Sequence, residues 1–144
     1  MRSKKMTAWD GTKEREFAIS TFNALEQLQF SEMQGETDKA QKEIDDLNEA
    51  AKAANRALLP EEQKKISALN ETMLRQLAEI VLNSLAKRQE EFRYNMALTG
   101  EAIVADRKAK QNLVMSIFDM GEMLEIIDYA FKGGTVVPGF QEKK

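Results

Sequence analysis

The sequence predicts an all-α protein: an elongated antiparallel helical hairpin of coiled-coil type, completed by a third long helix into a three- to four-helix bundle. Three observations predict it. Two prolines and seven glycines in 144 residues leave few places where a helix must break. Ala40, Ile44, Leu47, Ala51, Ala54 and Leu58 recur in alternating steps of four and three, the spacing of a coiled-coil seam. After Pro60, an apolar stripe of Ile66, Leu69, Met73, Leu77, Val81, Leu85, Phe92 and Met96 follows, mostly in steps of four.

In chain order, residues 1–9 read as a flexible N-terminal arm and residues 10–134 as the helical domain. Asp10 or Thr12 is expected to cap the first helix, with Glu14 and Glu16 near its positive end. That helix is expected to run over about residues 12–58, with a break near Gly35 and Thr37 as a new cap beyond it. Its first part carries Phe17, Phe22, Leu25, Leu28 and Met33 as a stripe. The alanine-rich seam beyond Gly35 should bring two backbones close together, and the charged residues between its members should form a solvated face.

Leu59-Pro60-Glu61-Glu62 is the clearest punctuation. Proline fits the first position of a helix, where its missing N–H costs nothing, and acids suit the positive helix end. A short connection predicts that the second helix, residues 60–98, folds back on the first; a kink within one continuous helix is the alternative. Four pairs, Asp38/Lys42, Glu61/Lys65, Glu71/Arg75 and Asp106/Lys110, have the favourable i,i+4 order. Thr99-Gly100 precedes a third helix over residues 101–132, which Gly133-Gly134 should stop. Residues 135–144 read as an extended C-terminal tail.

Function is bounded by absences. With no histidine and no cysteine, the chain lacks the usual metal ligands, the commonest general base and the thiol nucleophile. No phosphate loop and no nucleophile-elbow motif occurs. The expectation is a non-enzyme without catalytic residue, metal or cofactor. A net charge of -3 argues against a nucleic-acid partner. The basic start lacks the apolar run of a signal peptide, and no stretch is apolar enough to span a membrane, so a cytoplasmic location is expected. Asp119, Glu122, Glu125 and Asp128 recur every three residues without a Glu-x-x-His motif and read as a solvated face.

What remains points to protein partners. Residues 113–131 are the most apolar segment and hold Met115, Phe118, Met120, Met123, Ile127 and Phe131. The segment reads as the central helix of the bundle or, alternatively, as a Met-rich docking face, since thioether chains adapt to their partners. Trp9 in the arm and Val136, Val137 and Phe140 in the tail are further interface candidates. The function expected is therefore structural: a self-associating helical protein or a component of a larger assembly, in the general shape of helical parts of phage particles and secretion machines. The alternatives are an adaptor or chaperone that binds a helical partner through the Met-rich face, and a membrane-surface protein acting through the last helix.

Overall fold

The computed structural model describes residues 2–132; the C-terminal tail, with Val136, Val137 and Phe140, and the Gly133-Gly134 stop lie outside the described residues. Two strands, β1 (Ser3–Trp9) and β2 (Glu14–Ser20), precede four helices: α1 (Ala24–Ala53), α2 (Pro60–Ala86), α3 (Gly100–Ile117) and α4 (Met120–Lys132). A single 3-10 turn, Glu90–Phe92, lies between α2 and α3. The protein is mostly helical, but an antiparallel β-hairpin corrects the all-α expectation at the N-terminus.

Neither a loose arm nor a helix forms over residues 3–20, because the residues there alternate. Phe17 and Ile19 on β2 are fully buried, with exposed Glu16 and half-buried Ala18 interleaved. That is the period of a half-buried strand, and it outweighs the helical stripe assigned to Phe17 and Phe22. The turn is built for the reversal. Gly11 takes φ 104°, and Asp10 Oδ1 accepts hydrogen bonds from the Thr12 N–H (2.9 Å), the Thr12 hydroxyl (2.9 Å) and the Lys13 N–H (3.0 Å). The Thr12 and Lys13 backbone N–H groups hold the Asp10 carboxyl down to about 2. Asp10 thus closes a hairpin instead of capping a helix. Met6 lies opposite Phe17 in its register.

Helix α1 starts later than expected, at a reciprocal cap. The Glu26 N–H donates to Asn23 Oδ1 and the Asn23 N–H to Glu26 Oε1, both at 2.9 Å. Gly35 does not break it. One glycine costs about 1 kcal/mol against alanine, and residues on either side of it are anchored to α2. Thr37 is one anchor rather than a new cap: its hydroxyl lies 2.9 Å from Gln76 Oε1 and 3.1 Å from the Met33 carbonyl. The helix ends at Ala53 because Asn55 adopts the left-handed region, φ 54°. The Asn55 N–H then reaches the Lys52 carbonyl and the Arg56 N–H the Ala51 carbonyl, each at 3.0 Å, which satisfies the helix's last acceptors.

Pro60 opens α2, where the Glu62 carboxylate accepts the Leu59 N–H at 2.8 Å. The two helices form the expected antiparallel hairpin rather than a kinked rod. Glu43 pairs with Lys65 (3.0 Å), Thr37 with Gln76 and Glu26 with Lys87 (2.7 Å), so numbers rise on one helix as they fall on the other. Of the four i,i+4 pairs, Glu71/Arg75 and Asp106/Lys110 form, at 3.1 and 3.3 Å. Lys42 instead bonds Asp46, and Lys65 crosses to Glu43.

Helix α2 stops at Ala86, not near Leu98. Phe92 turns inward to full burial, and Arg93 folds back to donate to the free carbonyls of Ala86 (2.7 Å) and Lys87 (3.2 Å). A cation on these last acceptors is the favoured way to end a helix. The third predicted helix is likewise two. Phe118 is extended (φ -107°, ψ 140°), and Asp119 caps α4 reciprocally with Glu122 at 2.8 and 2.9 Å. Two of the four periodic acids are therefore caps, while Glu125 and Asp128 are exposed.

One helix, α2, organises everything else, a role expected of residues 113–131. Its second half (Leu77, Ala78, Ile80, Val81, Leu82 and Leu85) is apolar on several sides, and each of these residues is at most 6 % exposed. Helices α1, α3 and α4, strand β2 and the 3-10 turn all pack on α2. Its first half is polar and lies along α1. Between residues 41 and 72 the residues withdrawn from solvent are Ile44, Leu47, Ala51, Leu58, Glu62, Ile66 and Leu69, all on the seam or its turn. The result is a packed head from which a two-helix arm extends by about 20 Å at 1.5 Å per residue.

Candidate functional site

Because α1, α3 and α4 all lean on α2, grooves remain between them. The first separates α1 from α3 and is polar. Its volume is about 450 Å³, with Phe30 and Met33 on the α1 side and Arg75, Glu79, Tyr94 and Arg107 converging from α2, α3 and the segment between them. Glu79 organises it, accepting from the Tyr94 hydroxyl, from Gln111 Nε2 (2.9 Å) and from Asn83 Nδ2 (3.1 Å). Arg107 stacks on the Tyr94 ring, 4.9 Å from its centroid. Arg75 reaches Glu71 (3.1 Å), Gln111 (3.3 Å) and Asn112 (3.1 Å). These bonds fasten α3 and the segment before it to α2.

Burial first, and the Glu79 carboxylate second, push the Tyr94 phenol above its ordinary range. The folded state therefore keeps this proton above about pH 10, where the unfolded chain releases it. Tyr94's contribution to stability is complete below that pH and is lost as pH rises. We expect wild-type urea midpoints to fall more steeply above pH 10 than those of Tyr94→Phe. Parallel slopes for the two proteins would show that Tyr94 titrates normally.

The second groove separates α1 from α4 and is mostly apolar. It holds about 340 Å³ between Thr37 and Asp38 of α1, Met73 and Leu77 of α2, and Met120 and Leu124 of α4. Met120 is 44 % and Leu124 49 % exposed, so the walls present their apolar groups to solvent. Among the described residues, no group of three acidic side chains could hold a metal ion. No helix of the described residues is long and apolar enough to cross a membrane.

The interface candidates read from the sequence scatter. Met120 lines the apolar groove, and Trp9, 58 % exposed, stands at the end of β1 far along the chain from it. Phe118, Met123 and Ile127 belong to the head's own core, and Met115 and Phe131 are half-buried against that core. Val136, Val137 and Phe140 fall outside the described residues. Met73 and Leu124, which complete the groove, were visible only as members of apolar stripes. In the sequence Tyr94 and Arg107 stand out only as members of a basic stretch with interleaved aromatics, diluted by acids, and Glu79 not at all, because their convergence depends on how α3 crosses α2. No family model, no curated protein and no solved structure matches the chain.

Proposed function

We propose that the chain is a non-enzymatic helical interaction protein that self-associates as part of a larger assembly, held by its head and reaching with its arm. The observation that carries this reading is the arm. A helix as polar as the first half of α2 gains little by burial in its own fold, yet the chain devotes about 30 residues to extending the hairpin past the core. The seam of Ala40, Ile44 and Ala51 keeps the two helices close and leaves both outer faces open.

Light scattering over a range of concentrations tests it. The expected result is a mass rising above the 16.4 kDa chain, and its loss in Ala51→Glu, which forces a charge into the arm's seam while leaving the head intact. A monomer at every concentration overturns self-association. An oligomer indifferent to Ala51→Glu removes the arm from it.

The Met73 and Met120 groove favours a second reading, an adaptor that binds a helical partner through apolar side chains. Both readings place the function at protein surfaces and not at a chemical centre.

A further inference from the structure

We infer that residues 135–140 dock on the open edge of β1 as a further strand, parallel to it and within the same chain. The sheet's two edges differ. Ala18 and Ser20 of β2 turn their N–H and C=O groups away from β1, onto Gln89 and Ser84. Phe17 and Ile19 therefore bond to β1, through their register partners Met6 and Lys4. By the same alternation Lys5 and Thr7 point their backbone groups outward, and among the described residues no hydrogen bond reaches them. One edge is closed by side chains. The other is a row of unmet donors and acceptors, which is a template for a strand.

The chain itself supplies the strand, and the last turn of α4 delivers it. The Ala130 carbonyl accepts the Phe22 N–H at 2.8 Å, the Phe131 ring meets that of Phe22 at 5.5 Å, and Lys4 Nζ lies 4.9 Å from the Tyr129 ring centroid. Residues 133–144 thus leave α4 at the end of the hairpin where β1 begins. Gly133 and Gly134 permit a sharp change of direction, and a segment that continues from there along β1 runs parallel to it. Thr135, Val136 and Val137 are β-branched, the residues that favour a strand. A second copy suits this edge less well, because its β1 would bring two more lysines beside the exposed Lys4 and Lys5.

Pro138 sets the register. Having no N–H, it belongs where the added strand's backbone faces away from β1, opposite an outward-pointing residue such as Thr7. With Pro138 opposite Thr7, the Val137 N–H donates to the Lys5 carbonyl and the Thr7 N–H donates to the Val137 carbonyl. Residues opposite each other share a face of the sheet. Val137 then lies beside Met6, which is half-buried against the core. Phe140 lies beside Trp9 on the outer face, where Trp9 is 58 % exposed.

Amide hydrogen exchange of the full chain, read residue by residue by NMR, tests the inference. The Lys5 and Thr7 amides are expected to exchange as slowly as those of Lys4 and Met6, which face β2. Val137→Pro should accelerate Lys5 and Thr7 about tenfold or more, because it removes a ladder hydrogen bond. Val136→Pro, at a position whose N–H faces away from β1, should leave them slow. Lys4 and Met6 should stay protected in both variants, which separates a lost strand from a lost hairpin. Phe140→Ala should shift the emission of Trp9, the only tryptophan, to the red. Fast exchange at Lys5 and Thr7 in the wild type overturns the inference, since the edge is then open. Slow exchange indifferent to Val137→Pro also overturns it and assigns the edge to another strand. Protection that grows with protein concentration overturns docking within one chain and assigns the edge to a second copy. Equal effects of the two prolines overturn the register.

Discussion

Phe17→Ala is expected to destabilise the head by about 3–5 kcal/mol, a large part of the 5–15 kcal/mol that holds a typical domain together. Phe17 has no exposed surface. Its ring meets Phe92 at 6.1 Å and Phe118 at 5.0 Å, both edge-on, and the Arg15 guanidinium sits 4.5 Å from its centroid. Its neighbours come from the 3-10 turn after α2 and from the break between α3 and α4, the places where the chain departs from helix. Those segments have little regular backbone bonding to hold them, so a hole there removes the reason for their conformation. The Arg15–Glu91 ion pair, which ties β2 to the 3-10 turn, is too exposed to compensate. Urea unfolding followed by circular dichroism checks the prediction, with Phe17→Leu as the control expected to cost less than about 1.5 kcal/mol. A loss below about 1 kcal/mol for Phe17→Ala would mean that the head does not depend on this cluster.

Ser84→Ala and Ser20→Ala should change stability in opposite directions. Both residues are completely buried, 64 positions apart, where β2 meets α2. The Ser84 hydroxyl accepts the Ser20 N–H at 2.9 Å and donates to the Ser20 carbonyl at 2.7 Å. Gln89 does the same for Ala18, accepting its N–H and donating to its carbonyl, both at 2.9 Å. Ala18 and Ser20 face the side of β2 away from β1, so these two side chains act as a third strand and close the sheet's edge. Removing the Ser84 hydroxyl strands two buried backbone groups, at about 1–3 kcal/mol each. The Ser20 hydroxyl, by contrast, has no partner among the described residues. Deleting it removes a buried, unpaired polar atom, so Ser20→Ala should be neutral or stabilising by about 1 kcal/mol. Urea midpoints give both signs, and exchange of the Ser20 amide should accelerate in Ser84→Ala alone. A destabilised Ser20→Ala would mean that its hydroxyl has a partner in solution.

The sequence by itself determined the features that rest on neighbours in the chain. Pro60 opens a helix, Ala40, Ile44 and Ala51 lie buried along α1 while Ala54, expected to continue their seam, falls past the helix end, and a six-residue link folds α2 back on α1, because proline geometry, helical period and loop length are local constraints. Other local signals were present but overridden by the helical background. Asp10-Gly11 between alternating residues marks a hairpin, Asn23-x-x-Glu26 and Asp119-x-x-Glu122 mark helix starts, and Asn55 can adopt the left-handed region that ends a helix.

Only the tertiary structure decided where the long helical pattern is interrupted and which surfaces stay open. Residues 87–99 are rich in good helix formers, yet the helix ends because burying Phe92 against Phe17 and seating Arg93 on the carbonyls of Ala86 and Lys87 offset the helical bonds lost. Strand β2 depends on Ser84 and Gln89 to satisfy its outer edge, and those residues give no sign of it in sequence. Phe118, Met123 and Ile127 resemble Met120 in the sequence, but the head's core encloses the first three and leaves Met120 at the lip of a groove. Helical period tells which residues share a face; which face is covered depends on groups distant in the chain, and their arrangement exists only after folding.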